Sequence, residues 1–229
     1  MQLNRTTPVS GIVSEPNRKG ASRGLLQWSA TVFIWLAVAF SLGWYYTFTY
    51  YGRAGWPMPF PEAWASILLY YFSVINADTE IQAVHWMLVF PCAGCLWPLL
   101  LRMTARRLPI PRPDLGGLAL AFALAAVPVA LPGPFMAVLA GLTTQGFEWE
   151  RMIAVALRRG FVTPAWWLTP LYFGLGLAAF VLQLRAYRRY FPLATRLAWM
   201  HYPASAIALA LASGIIAAVA AYPLRALFE

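Results

Sequence analysis

Residues Trp28–Thr49 read WSATVFIWLAVAFSLGWYYTFT and carry no charge. The hydrocarbon core of a bilayer is about 30 Å thick and a helix rises about 1.5 Å per residue, so about 20 apolar residues make one crossing. This stretch fits one crossing. Four further segments are also charge-free: Ile81–Leu101, Leu115–Phe147, Phe161–Leu184 and Leu197–Leu224. Together they predict an all-α, multi-pass transmembrane helical bundle of about five spans. Two interfacial or re-entrant helices are expected on its outer face. Composition agrees, with 61% hydrophobic and 11% charged residues, far from the soluble average.

The tail 1–24 is polar and rich in Ser, Thr, Asn, Pro and Arg. It has no small-residue cleavage site after an apolar stretch, so it reads as a retained, disordered cytoplasmic segment rather than a signal peptide. Residues 25–229 read as a single transmembrane helical domain. The net charge of +9 does not indicate nucleic acid, because the basic residues cluster at the ends of apolar spans. The partners expected are the lipid bilayer and other membrane protein subunits.

Basic residues set the orientation, since Lys and Arg are retained on the cytoplasmic side of short loops. Five crossings put Arg5, Arg18, Lys19 and Arg23 on one face with Arg102, Arg106, Arg107, Arg112, Arg185, Arg188, Arg189 and Arg196. The opposite face keeps Arg53, Arg151, Arg158, Arg159 and Arg225. The N-terminus is therefore expected in the cytoplasm and the C-terminus outside, in a bacterial inner membrane. A sixth crossing at Ala63–Asn76, or a double crossing of Leu115–Phe147 about Pro128, Pro132 and Pro134, would spoil this pattern. The long third segment reads instead as a helix broken near Pro132–Pro134.

Two outer loops are too apolar to be simple connections. In the first, Pro61-Glu62 is a helix start, with proline in the first turn and an acid near the positive helix end. Glu62, Ser66, Ser73 and Asn76 form a narrow polar stripe, and Trp64, Leu68 and Tyr71 belong to the apolar remainder. In the second, Phe147–Gly160, Trp149 and Ile153 repeat at helical spacing. Both fit helices at the membrane interface. Trp64, Leu68, Tyr71, Trp149 and Ile153 are the candidate partner-binding residues. Simple capping of the bundle or anchoring in lipid explains the same pattern. The aromatics at span ends, such as Trp44, Tyr45, Tyr46, Trp166 and Trp167, suit an interfacial belt.

Candidate chemistry is sparse. Proton and ion pathways need ionisable groups inside the membrane, and none of the five spans carries Asp, Glu, Lys or Arg away from its ends. That argues against a proton-coupled transporter or pump. The chain contains no GxSxG, HExxH or P-loop pattern, and no catalytic residue or metal site is assigned. His85 and His201 are candidate cofactor ligands, since neutral imidazole is a good axial ligand for haem. Five crossings place them near opposite membrane faces, which disfavours one shared haem. A histidine hydrogen-bonded to a neighbouring helix is the plainer reading. Cys92 and Cys95 have CxxC spacing, but they lie in an apolar stretch and suit a packed small-residue face.

The function expected is that of a non-enzymatic accessory, scaffold or assembly subunit of a larger membrane complex, respiratory, photosynthetic or secretory. A haem- or chlorophyll-carrying electron-transfer subunit and a transporter of small neutral solutes or lipids are the alternatives. The residues name no cofactor.

Overall fold

A computed structural model describes residues 18–49, 60–72, 79–108, 110, 113–135 and 168–228. The described residues are helical, without strands. The elements are α1 (Arg18–Thr49), α2 (Pro61–Phe72), α3 (Thr79–Thr104) with a 3-10 turn at Ala105–Arg107, α4 (Leu115–Ala130), α5 (Leu168–Tyr190) and α6 (Thr195–Phe228). Five of them contain stretches long and apolar enough to cross a membrane: Ser22–Gly43, Met87–Arg107, Leu115–Phe135, Thr169–Tyr190 and Thr195–Val219. The protein is a multi-pass membrane protein whose apolar exterior suits lipid. Phe33, Leu124, Leu211 and Val219 are among the large side chains turned outward.

Local chemistry explains where several helices begin and break. Asp114 caps α4, its Oδ2 accepting from the Gly117 N–H at 2.9 Å, as an N-cap acid should. The helix ends at Ala130, and Pro132–Phe135 resume a helical turn after Leu131. The break falls just before Pro132, which has no N–H to donate to the preceding turn, although Leu131 itself keeps helical dihedrals. Residues 136–147 of the expected third segment lie outside the described residues. Pro91 and Pro98 sit inside α3 without ending it, as membrane helices tolerate when neighbours satisfy the freed carbonyls. At the N-terminus, α1 begins at Arg18, and the first 17 residues of the expected tail lie outside the described residues.

The helices pack in a connected chain of neighbours. α4 lies against α1, α5 and α3, while α3 also contacts α1, α2 and α6. α2 packs on α6 and α3. α5 and α6 are joined by Phe191–Ala194 and meet near that turn, where Tyr187 stacks on His201 and sets its ring edge-on to Tyr202.

Cross-helix contacts identify the two ends of the bundle. At one end Gln27 faces Gly116, Tyr190 faces Gly117, and Thr104 bonds His201. Arg23, Arg102, Arg106, Arg107, Arg185, Arg188, Arg189 and Arg196 gather around these positions in sequence. At the other end Ser41 Oγ accepts from the Gly133 N–H at 3.0 Å and lies 2.8 Å from the Tyr172 hydroxyl. The chain therefore leaves α4 and enters α5 at the same end.

Two aromatic cores fill the interior. Trp35 contacts Phe60 and Phe90, with ring centroids 6.5 and 5.6 Å apart. Trp97 contacts Phe122 and Tyr202 at 5.1 and 5.0 Å. Helices in lipid gain little from the hydrophobic effect when they associate, so close packing and interhelical hydrogen bonds hold them together.

Candidate functional site

The N-terminal turn of α2 carries the only acidic side chain that the described residues place in the interior. Phe60 seats this turn among Trp35 and Phe90. Phe90 is eleven residues into α3, about 16 Å from its start at 1.5 Å per residue. The tip of α2 therefore lies well inside the bundle. Glu62, Ala63, Ala65, Ser66 and Leu69 are buried, while Trp64 is exposed and Leu68 half-buried. Glu62 and Ser66 do share a face, as the sequence predicts, but that face turns inward. Solvent has no part in this choice. In lipid the outward face must be apolar, and polar groups find partners inside.

Glu62 is fully buried, and its Oε1 accepts from Gln183 Nε2 at 3.2 Å. Gln183 comes from α5 and is also fully buried. Tyr202, from α6, packs edge-on against Phe180 and Tyr187 of α5, three residues before and four after Gln183. Its helix, α6, packs directly on α2, which carries Glu62. Glu62 Oε2, Gln183 Oε1 and the Tyr202 hydroxyl have no hydrogen-bond partner among the described residues. Burial pushes the Glu62 carboxyl above the usual carboxylate range, against the opposing pull of hydrogen bonds from its own backbone and from Gln183. The sequence argument that no acid lies inside the membrane-spanning helices holds for those helices. It does not extend to the bundle interior, because α2 delivers Glu62 there from outside the five spans.

His201 has a complete set of partners within the chain. Nδ1 lies 2.8 Å from the Tyr187 hydroxyl. Nε2 lies 2.8 Å from Thr104 Oγ1 and 3.2 Å from the Leu101 carbonyl. A carbonyl only accepts, so Nε2 carries the proton, and Nδ1 accepts from Tyr187. Thr104 Oγ1 itself donates to the Leu100 carbonyl at 2.8 Å. The lone pair that a metal would need is taken. His85 lies in the first third of α3. Sixteen residues separate it from Leu101, the carbonyl that His201 touches, which is about 24 Å along the helix. The two histidines are not brought together.

Cys92 and Cys95 are free thiols. Cys92 opens on an apolar groove of about 440 Å³, shared with Leu69, Cys95, Leu96, Leu99 and Ser213. The residue that carries the close helix approach is Gly94, packed beneath the Trp35 indole. No group of three or more His, Cys, Asp or Glu suited to a metal ion occurs among the described residues.

Of the candidate partner-binding residues, Trp64 and Leu68 sit one turn apart on the outward side of α2. Tyr71 belongs to α2, but its side chain lies outside the described set, as do Trp149 and Ile153 entirely. Sequence reasoning missed Gln183 and Tyr202. Gln183 had a signal, being an isolated amide in an otherwise apolar span. Tyr202 had none, since tyrosines are abundant here. No family model, curated protein or solved structure matches the chain.

Proposed function

We propose that this chain is a non-enzymatic accessory, scaffold or assembly subunit of a larger membrane complex, respiratory, photosynthetic or secretory. The observation that carries the reading is the outward stripe of α2. Trp64 is 53% exposed on a helix whose other faces are committed to α3, α6 and the Glu62 cluster. Leu68 continues the stripe one turn on. A helix presenting a large exposed aromatic at a fixed position suits recognition by a partner subunit, because tryptophan is enriched among the few residues that carry most of the energy of a protein interface.

In the topology proposed here, α1, α3, α4, α5 and α6 make five crossings of a bacterial inner membrane, with the N-terminus cytoplasmic and the C-terminus outside. α2 is re-entrant from the outer face. From Phe60, α2 runs back toward the outer face. The contacts of Phe60 with Trp35 and Phe90 support a tip at mid-depth.

Changing Trp64 and Leu68 together to Ser tests the docking role. The variant is expected to insert normally and to lose the partner that co-purifies with wild type in mild detergent. Equal recovery of that partner from both proteins would sink the reading. A second reading, passage of a small neutral solute, is favoured by one observation, the polar cluster of Glu62, Gln183 and Tyr202 in the interior. Solute uptake by vesicles containing the purified chain alone separates the two, since a scaffold shows none.

A further inference from the structure

Glu62, Gln183 and Tyr202 belong to three different elements, and each brings one uncommitted polar atom to the interior. Glu62 and Gln183 are tied by their hydrogen bond. Tyr202 lies on the same face of α5, between the turns that carry Phe180 and Tyr187. Buried polar atoms are nearly always satisfied in native proteins, so three orphans on facing elements mark the seat of a polar guest.

Charge narrows the guest. A buried carboxylate needs a positive partner. Among the described residues, the groups facing it do not supply one. α3 presents Trp97, and His201 on α6 is committed to Tyr187, Thr104 and Leu101. Arg185, two residues beyond Gln183, is exposed. The one negative charge therefore calls for one positive charge, carried by something small.

We propose that Glu62 Oε2, Gln183 Oε1 and the Tyr202 oxygen form an interior binding site for a hydrated proton, one proton together with one water. The atoms balance in either form. As hydronium, three O–H groups meet three oxygens and the charges cancel. When the proton moves, one O–H bond of hydronium breaks and a Glu62 Oε2–H bond forms. The carboxylic acid then donates to the water, which donates to Gln183 and Tyr202. Gln183 Nε2 positions the carboxyl through Oε1 in both forms. The site concerns the inward face of α2 and does not depend on what docks on its outward face.

Infrared spectroscopy of the purified full-length protein in lipid, at neutral pH, tests this. The expected result is a protonated-carboxyl C=O band that moves to lower frequency in D₂O and is lost in Glu62→Gln. Gln183→Leu and Tyr202→Phe should each shift the band while retaining it. Absence in wild type at neutral pH of both this band and the broad continuum absorbance of a hydronium ion overturns the proposal, and so does survival of the band in Glu62→Gln. If Glu62→Gln fails to insert, the other two variants decide, and an unshifted band in both overturns the site. Thermal stabilisation by sodium chloride over choline chloride, lost in Tyr202→Phe, would assign the site to a metal cation instead and overturn the proton.

Discussion

Trp35 lies with its indole against the backbone of α3 at Gly94, where a Cβ would fall inside the ring's van der Waals envelope. Neither partner can yield easily, because Trp35 is fully buried and held by Phe60 and Phe90. Overpacking of this kind costs about 1–3 kcal/mol. Gly94→Val is therefore expected to lower the unfolding midpoint in detergent, while Gly174→Ala, where a Cβ meets nothing within 4 Å, should leave it unchanged. His201 yields a second prediction at this scale. Both ring nitrogens are bonded within the chain, so Tyr187→Phe should destabilise the protein by about 1 kcal/mol, the usual net value of one hydrogen bond. His201→Ala should reduce stability without removing any absorption band. A haem spectrum in purified protein that disappears in His201→Ala would show that the imidazole ligates iron rather than holding α3 to α5.

Among the elements, α2 and the end of α4 are the two whose placement the chain's own contacts decide. The end of α4 is fastened by a small closed network. The Gly133 N–H donates to Ser41 Oγ, Ser41 Oγ donates to the Tyr172 hydroxyl, and Tyr172 donates to the Ser41 carbonyl at 3.0 Å. Glycine is required at 133 because a Cβ there would sit 2.5 Å from Ser41 Cα. Tyr172→Phe removes two of these bonds at once. Interhelical hydrogen bonds in membranes are worth about 0.6 kcal/mol each on average, so a loss of roughly 1 kcal/mol is expected, read as greater sensitivity to denaturing detergent. For α2, the sequence supplied its start at Pro61 and the Glu62–Ser66 part of its polar stripe. The pattern Glu62–Ser66 against Trp64–Leu68 is the same whether the helix lies flat on the interface or inside the bundle. Amphipathicity reports that two faces differ, and the medium on each side decides which face turns where.

At the scale of the whole molecule, the basic residues at one end of the helices predict the topology directly. Alkaline phosphatase, active only outside the cytoplasm, is expected to be inactive when fused after Arg107 or Arg189 and active when fused after Glu229. Activity after Arg189 would show that the chain between α4 and α5 changes sides, contrary to the shared end marked by Gly133 and Tyr172. The helical class, the membrane environment and the approximate limits of the five apolar helices were all legible in the sequence. Each follows from a local property, the length of an uncharged run measured against a fixed bilayer thickness. The interior position of Glu62, its pairing with Gln183 more than a hundred residues away and the commitment of both His201 nitrogens were decided only by tertiary structure. They depend on which helices become neighbours. Apolar spans of similar length and composition do not encode that choice in any one segment, and it emerges from the fit of Trp35 on Gly94, Phe60 between Trp35 and Phe90, and Tyr202 against α5.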